Sequence, residues 1–264
     1  MQINLGDLKS VDVAAKIYRA FQLIEGLKKL TAQATAVDSD MIAFQRGFFK
    51  NDVDYEFQVK LDSPISQQIS IILGEICYHL RSSLDHLVWQ AVIANNGTPN
   101  GDHRFPVCTD EQAFKEMIQR GYLKGTSEKF VKEVRHRQPF NQENPRTNLL
   151  WVLSTLNKID QRHLLSVVIA KGQIGEKLAI PPGYASLDLK VEDPEHVKLT
   201  TEWQSILTVT LPHRAPSFSA KMEPNISLTA ADILEVSGYA MDDIVSLLVN
   251  CAFETGYWLE QSMK

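Results

Sequence analysis

One apolar-periodic stretch, Pro64 to Asn96, constrains this chain more than any other. Ile65, Ile69, Ile72, Leu73, Ile76, Leu80, Leu84, Leu87 and Ala91 recur at three- and four-residue steps, the period of a helix with one buried face. Ser63 reads as the N-cap, and Pro64 suits a first turn, where its missing N–H has no partner to lose. Asn95-Asn96-Gly97 supplies the stop, through residues that tolerate a left-handed backbone. At 3.6 residues per turn the span is about eight to nine turns.

The middle of this helix is polar in an ordered way. Advancing about 100° per residue, Glu75, His79, Ser82 and His86 fall in one narrow stripe. Arg81 and Asp85 form a second edge with the spacing of an i,i+4 ion pair. Such a set has the chemistry of a site: Arg to hold an anion, His as acid or base, Glu and His as metal ligands. It is also the composition of a solvated face with ordinary ion pairs. The period predicts a second strong helix over Thr147–Ala170, through Leu149, Leu153, Leu156, Ile159, Leu164, Val167 and Val168. Asp160 and His163 project onto its apolar side, with Asn157 at the border, so both are expected to be at least partly buried. A buried carboxylate finds a partner or changes its protonation. His163, Arg81 and His86 are the candidate partners, and a core ion pair that fixes helix register is the alternative.

The rest of the chain frames these helices. Val11 to Ala36 reads as a first helix. Met41 to Phe44 and Tyr55 to Leu61 alternate around Lys50-Asn51-Asp52, the pattern of a hairpin. A Gly/Pro/Asn-rich loop over residues 97–108 carries Arg104, a candidate anion contact or a plain surface residue. Asp110–Arg120 and Ser127–Arg137 are short helices, the second ending in Arg135-His136-Arg137, the only dense basic cluster. Tyr184–Val191, Val197–Thr200 and Ile206–Leu211 read as strands. Thr229 with Asp232 resembles a capping box opening a last helix to Ser262. The expected fold is therefore α+β and predominantly helical: an antiparallel helical bundle with an inserted β-hairpin and a small antiparallel sheet before the last helix. It is expected as a single domain over residues 1–264, with helices near 10–36, 64–171 and 228–263 and β elements near 38–62 and 174–222.

Composition narrows the partners. A net charge of −5 disfavours a broad basic surface for duplex DNA, while a local site for RNA or a small anion stays open. Cys77, Cys108 and Cys251 are odd in number and have no CxxC spacing, so neither a disulfide framework nor a zinc knuckle is expected. There is no run of 18 apolar residues and no charged leader followed by an apolar core, so no membrane association is expected, and the expected setting is a reducing cytoplasm. No P-loop, dinucleotide-binding glycine pattern, nucleophile elbow, HExxH or kinase signature is present, and no cofactor is expected.

Leu80-Arg-Ser-Ser-Leu-Asp-His-Leu-Val-Trp89, the Arg104-Phe-Pro106 loop and Leu156-Asn-Lys-Ile-Asp-Gln-Arg-His-Leu-Leu165 together resemble a bacterial protein family. In that family an LRSALDHL-like segment precedes an FPI loop and an NxxDKHR helix. The resemblance covers roughly residues 74–165 and implies no particular activity; the chain departs from it at Gln161-Arg162-His163. Arg81-Ser-Ser-Leu-Asp-His86 is also similar to the Arg–His spacing of HEPN domains, although Ser82 stands where HEPN nucleases carry Asn, Asp or His. That likeness implies metal-independent RNA cleavage between two protomers of a homodimer. His86 would be the acid–base group and Arg81 the charge stabiliser, with Asp160 and Asn157 orienting the pair from the neighbouring helix and Asp85 counted with Arg81, His86 and Asp160 as catalytic. Three functions are thus in view. The first is a binding or interaction protein with a polar Arg/His/Asp site between helices, with His79, Arg104, Asn157, Arg162 and His163 as binding residues. The second is a HEPN-like ribonuclease of the toxin or phage-defence type. The third is a metal-dependent hydrolase using Glu75, His79, His86 and Asp160.

Overall fold

The computed structural model describes residues 4–35, 44–51, 53–60, 67–170, 178–179, 188–191, 202–211, 221–222, 227–230, 232–233, 235 and 239–263. The long apolar period becomes α2, Gln67–Ala94, and its first expected residues, Ser63 and Pro64, lie outside the described ones. Its stop is as expected: Asn96 takes φ 57° and the Gly97 N–H closes onto the Val92 carbonyl at 2.8 Å. Around α2 pack α1 (Val11–Thr35), α5 (Leu149–Asp160) and α6 (Met241–Ser262). Asp12 meets Gln90 while Lys16 lies over the Tyr78 ring, so α1 and α2 run antiparallel. Leu73, Ile76, Leu80, Leu84 and Leu87 of α2 are wholly buried, with Ile17, Leu27, Leu153, Leu156 and Leu248 from its neighbours. Burying each such side chain contributes roughly 1.5–3 kcal/mol, which is why the bundle forms around this helix. No described helix is long and apolar enough to cross a membrane.

The two short helices appear as expected. Asp110 caps α3 (Glu111–Gln119) by accepting from the Ala113 N–H at 2.7 Å. Ser127 caps α4 (Glu128–His136) through the Phe130 N–H at 3.1 Å. The chain is α+β and predominantly helical.

The hairpin is β1 (Phe44–Phe49) and β2 (Asp54–Lys60), turned by an Asx motif in which Asn51 Oδ1 accepts from the Val53 and Asp54 N–H groups. It does not stand apart from the later strands. β2 pairs with β6 (Gln204–Thr210), which pairs with β5 (Asp188–Val191), giving one antiparallel sheet in the order β1-β2-β6-β5. The expected strand at Val197–Thr200 lies outside the described residues.

Two expected helices are shorter than their apolar period. α5 stops at Asp160, and Val167–Ala170 forms β3, paired with β8 (Ser227–Ala230); β4 (Leu178–Ala179) and β7 (Lys221–Met222) form a further short pair among the described residues. Val167-Val168-Ile169 is β-branched, and a strand partner outweighs the weak propensity to continue the helix. Thr229 therefore lies in β8 rather than at a helix start, and Asp232 accepts from the Ser166 N–H at 2.6 Å. α6 begins only at Met241.

Candidate functional site

The Arg81–Asp85 edge of α2 forms the expected ion pair, Nη1 to Oδ1 at 2.6 Å. Both residues then turn to the backbone of Phe105. Arg81 Nη2 donates to its carbonyl at 2.7 Å, and its N–H donates to Asp85 Oδ1 at 2.8 Å. From the other side Gln138 continues the grip. Its Oε1 accepts from the Cys108 N–H at 3.0 Å, and its Nε2 donates to the Pro106 and Val134 carbonyls at 2.9 and 3.1 Å. Phe105, Pro106 and Cys108 are buried, so their backbone groups need partners that no strand supplies. Side chains from α2 and from the end of α4 supply them. Arg104, one residue earlier, is exposed and does not enter this network; its N–H donates to the Tyr122 carbonyl.

The remaining expected site residues lie elsewhere. Asp160, the last residue of α5, packs onto α2 at Gly74, where an added Cβ would overlap its carboxylate. Gly74 is seven residues before Arg81, about 10 Å along the helix axis. Among the described residues Asp160 makes no hydrogen bond or ion pair, and burial, then the Glu75 charge, holds its carboxyl above the usual range. His79 lies edge-on to the Tyr78 ring with its Nδ1 buried and unpartnered. Burial, then Lys16 and Arg19 of α1, lowers its pKa against the opposing pull of Glu75. His86 is half-buried and unpaired among the described residues. Asn157 is buried on α5, whereas Arg162 and His163 are exposed in the turn after it, against the expectation that His163 is buried. The helix ends at Asp160, so the projection that buried His163 does not extend to it.

The structure therefore brings Arg81 and Asp85 together and leaves Asp160 and His79 outside that network, both within the influence of Glu75. Among the described residues no three His, Cys, Asp or Glu side chains stand close enough to hold a metal ion. Thiolate chemistry is disfavoured as well: burial pushes Cys77 and Cys251 up to about 12 and Cys108 up to about 11.

A cleft of about 660 Å³ opens between the end of α4, the N-terminus of α5 and one face of α6, a size suited to a small ligand. Arg137, Asn141, Gln142 and Asn148 line one wall, and Leu247, Asn250, Cys251 and Glu254 the other. Gln138 contributes to it too, so the residue that holds the 105–108 segment is shared with the cleft. The basic cluster at 135–137 is the sequence signal that falls here, since His136 and Arg137 line the cleft. Asn250 and Glu254 carried none, because polar residues on the outer face of a helix read as solvated. Comparisons with protein families, with curated proteins and with solved structures find no match.

Proposed function

We propose that this chain is a binding protein whose ligand seat is the cleft between α4, α5 and α6, and that the Arg81–Asp85 pair is its scaffold. What supports this reading is the attachment of Arg81 and Asp85 to the Phe105 backbone. A guanidinium with one nitrogen on Asp85 and another on a carbonyl is poorly placed to stabilise charge on a transferring phosphoryl group. Its hydrogen bonds instead give a buried loop the ladder it lacks, and that loop is bonded in turn to Gln138, which lines the cleft.

Arg81→Ala tests the reading through stability. It leaves the Phe105 carbonyl without its donor and the Asp85 carboxylate without its cation, held only by the Phe105 N–H, so the unfolding free energy is expected to fall by about 2–4 kcal/mol in urea denaturation. Wild-type protein incubated with single-stranded RNA is expected to leave it intact. RNA cleavage that vanishes in His86→Ala, with the thermal midpoint unchanged, would overturn the proposal in favour of a nuclease.

A further inference from the structure

The chemistry of the cleft walls narrows the ligand, on the premise that the cleft is the binding seat. Leu247, Asn250, Cys251, Glu254 and Thr255 follow the i, i+3, i+4, i+7, i+8 spacing of a single face of α6. At 1.5 Å per residue they form a wall about 12 Å long. An extended chain rises roughly 3.3 Å per residue, so the wall matches three to four residues of strand.

The polar groups along the cleft are of both kinds and are largely unengaged. Among the described residues the side chains of Asn250, Gln142 and Glu254 make no hydrogen bond. Asn148 uses its Oδ1 to cap α5 at the Leu150 N–H, leaving its Nδ2 uncommitted. Asn141 gives its Nδ2 to the carbonyls of Arg135, His136 and Gln138, leaving its Oδ1. The one firmly cationic wall residue, Arg137, is already answered by Glu133 at 2.8 Å, and Glu254 adds a negative charge. A phosphate or other anion is not what such a lining selects. It selects an uncharged ligand that alternates N–H donors with carbonyl acceptors.

The molecule already shows what a carboxamide does with such a chain. Gln138, which also lines the cleft, holds the Pro106 carbonyl and the Cys108 N–H of the irregular 105–108 segment. We propose that the cleft binds an extended peptide segment of three to four residues. The carboxamides of Asn250, Gln142 and Asn148 read its backbone, and half-exposed Leu247 meets an apolar side chain at one end.

The test uses ¹⁵N-labelled full-length protein and three probes: a random pool of acetylated, amidated tetrapeptides, maltotriose and adenosine monophosphate. The tetrapeptide pool is expected to shift the side-chain NH₂ signals of Asn250 and Gln142. Asn250→Leu is expected to weaken this binding at least tenfold while leaving the thermal midpoint unchanged. Shifts from maltotriose or the nucleotide without shifts from the tetrapeptides overturn the peptide assignment and leave the binding-protein reading standing. Silence with all three overturns both. Tetrapeptide binding that Asn250→Leu does not weaken overturns the assigned contacts.

Discussion

The Asp160 carboxylate rests on the bare backbone of Gly74, beside Glu75 and Cys77, with no hydrogen-bond donor among the described residues. Its raised pKa has a consequence for stability whose sign is fixed. The folded state holds the proton more tightly than the unfolded chain, so the benefit of protonation is fully present below the ordinary value of 3.8. That benefit is lost as pH rises from there through the higher folded value, and at neutral pH the ionised group is a net cost. Asp160→Asn keeps the shape and removes the charge. It is expected to raise the thermal midpoint at pH 7 by roughly 1–2 °C, with the gain fading to nothing near about pH 3. A gain equal at both pH values would show that charge is not its source. The burial of Asp160 was legible from its projection onto the apolar side of α5. Its surroundings were not, because the position it meets on α2 is a glycine, and a search for partners among side chains passes over the residue without one.

At the scale of elements, that contact sets how closely α5 approaches α2. Gly74 lies in mid-helix, where Ala would be favoured by about 1 kcal/mol. A Cβ there would overlap the Asp160 carboxylate, and forcing such an overlap costs typically 1–3 kcal/mol. Gly74→Ala should therefore destabilise the wild-type protein and stabilise an Asp160→Ala background, a sign inversion readable by urea denaturation. Equal effects in both backgrounds would remove the contact as the cause. Helices with an uninterrupted apolar period were the most legible, α1 from its first residue and α2 at its Asn95-Asn96-Gly97 stop, while the expected start of α2 lies outside the described residues. The ends of α5 and the start of α6 were not. Val167-Val168-Ile169 extends the helical period of α5, yet its pairing partner Ser227–Ala230 is about sixty residues downstream. Local period carries no information about a partner so far away. The cleft was hidden for a related reason. It is assembled from the ends of α4 and α5 and the flank of α6, and no one of these segments is unusual alone.

For the whole molecule, Glu260 ties the end of α6 to the start of α1. It is buried near the end of α6, and its carboxylate accepts from the Lys9 N–H at 2.6 Å and the Ser10 N–H at 2.9 Å, where α1 begins. A carboxylate at a helix N-terminus satisfies orphan donors and complements the helix dipole. Removing it in Glu260→Ala is expected to cost about 2–4 kcal/mol, since charge-assisted bonds are lost and two backbone donors are left without partners. Amide hydrogen exchange should show the loss concentrated in the first turn of α1 and the last of α6. Uniform loss across all helices would argue for a general packing defect. The cap lies 250 residues downstream of the turn it serves. At translation rates of about 5–20 residues per second, the start of α1 is made roughly 10–50 s before Glu260. Through that interval α1 keeps its local cap, the Ser10 hydroxyl accepting from the Val13 N–H at 3.4 Å, but the Lys9 and Ser10 N–H groups wait for their carboxylate, so a ribosome stalled before residue 260 would present this turn without its long-range anchor.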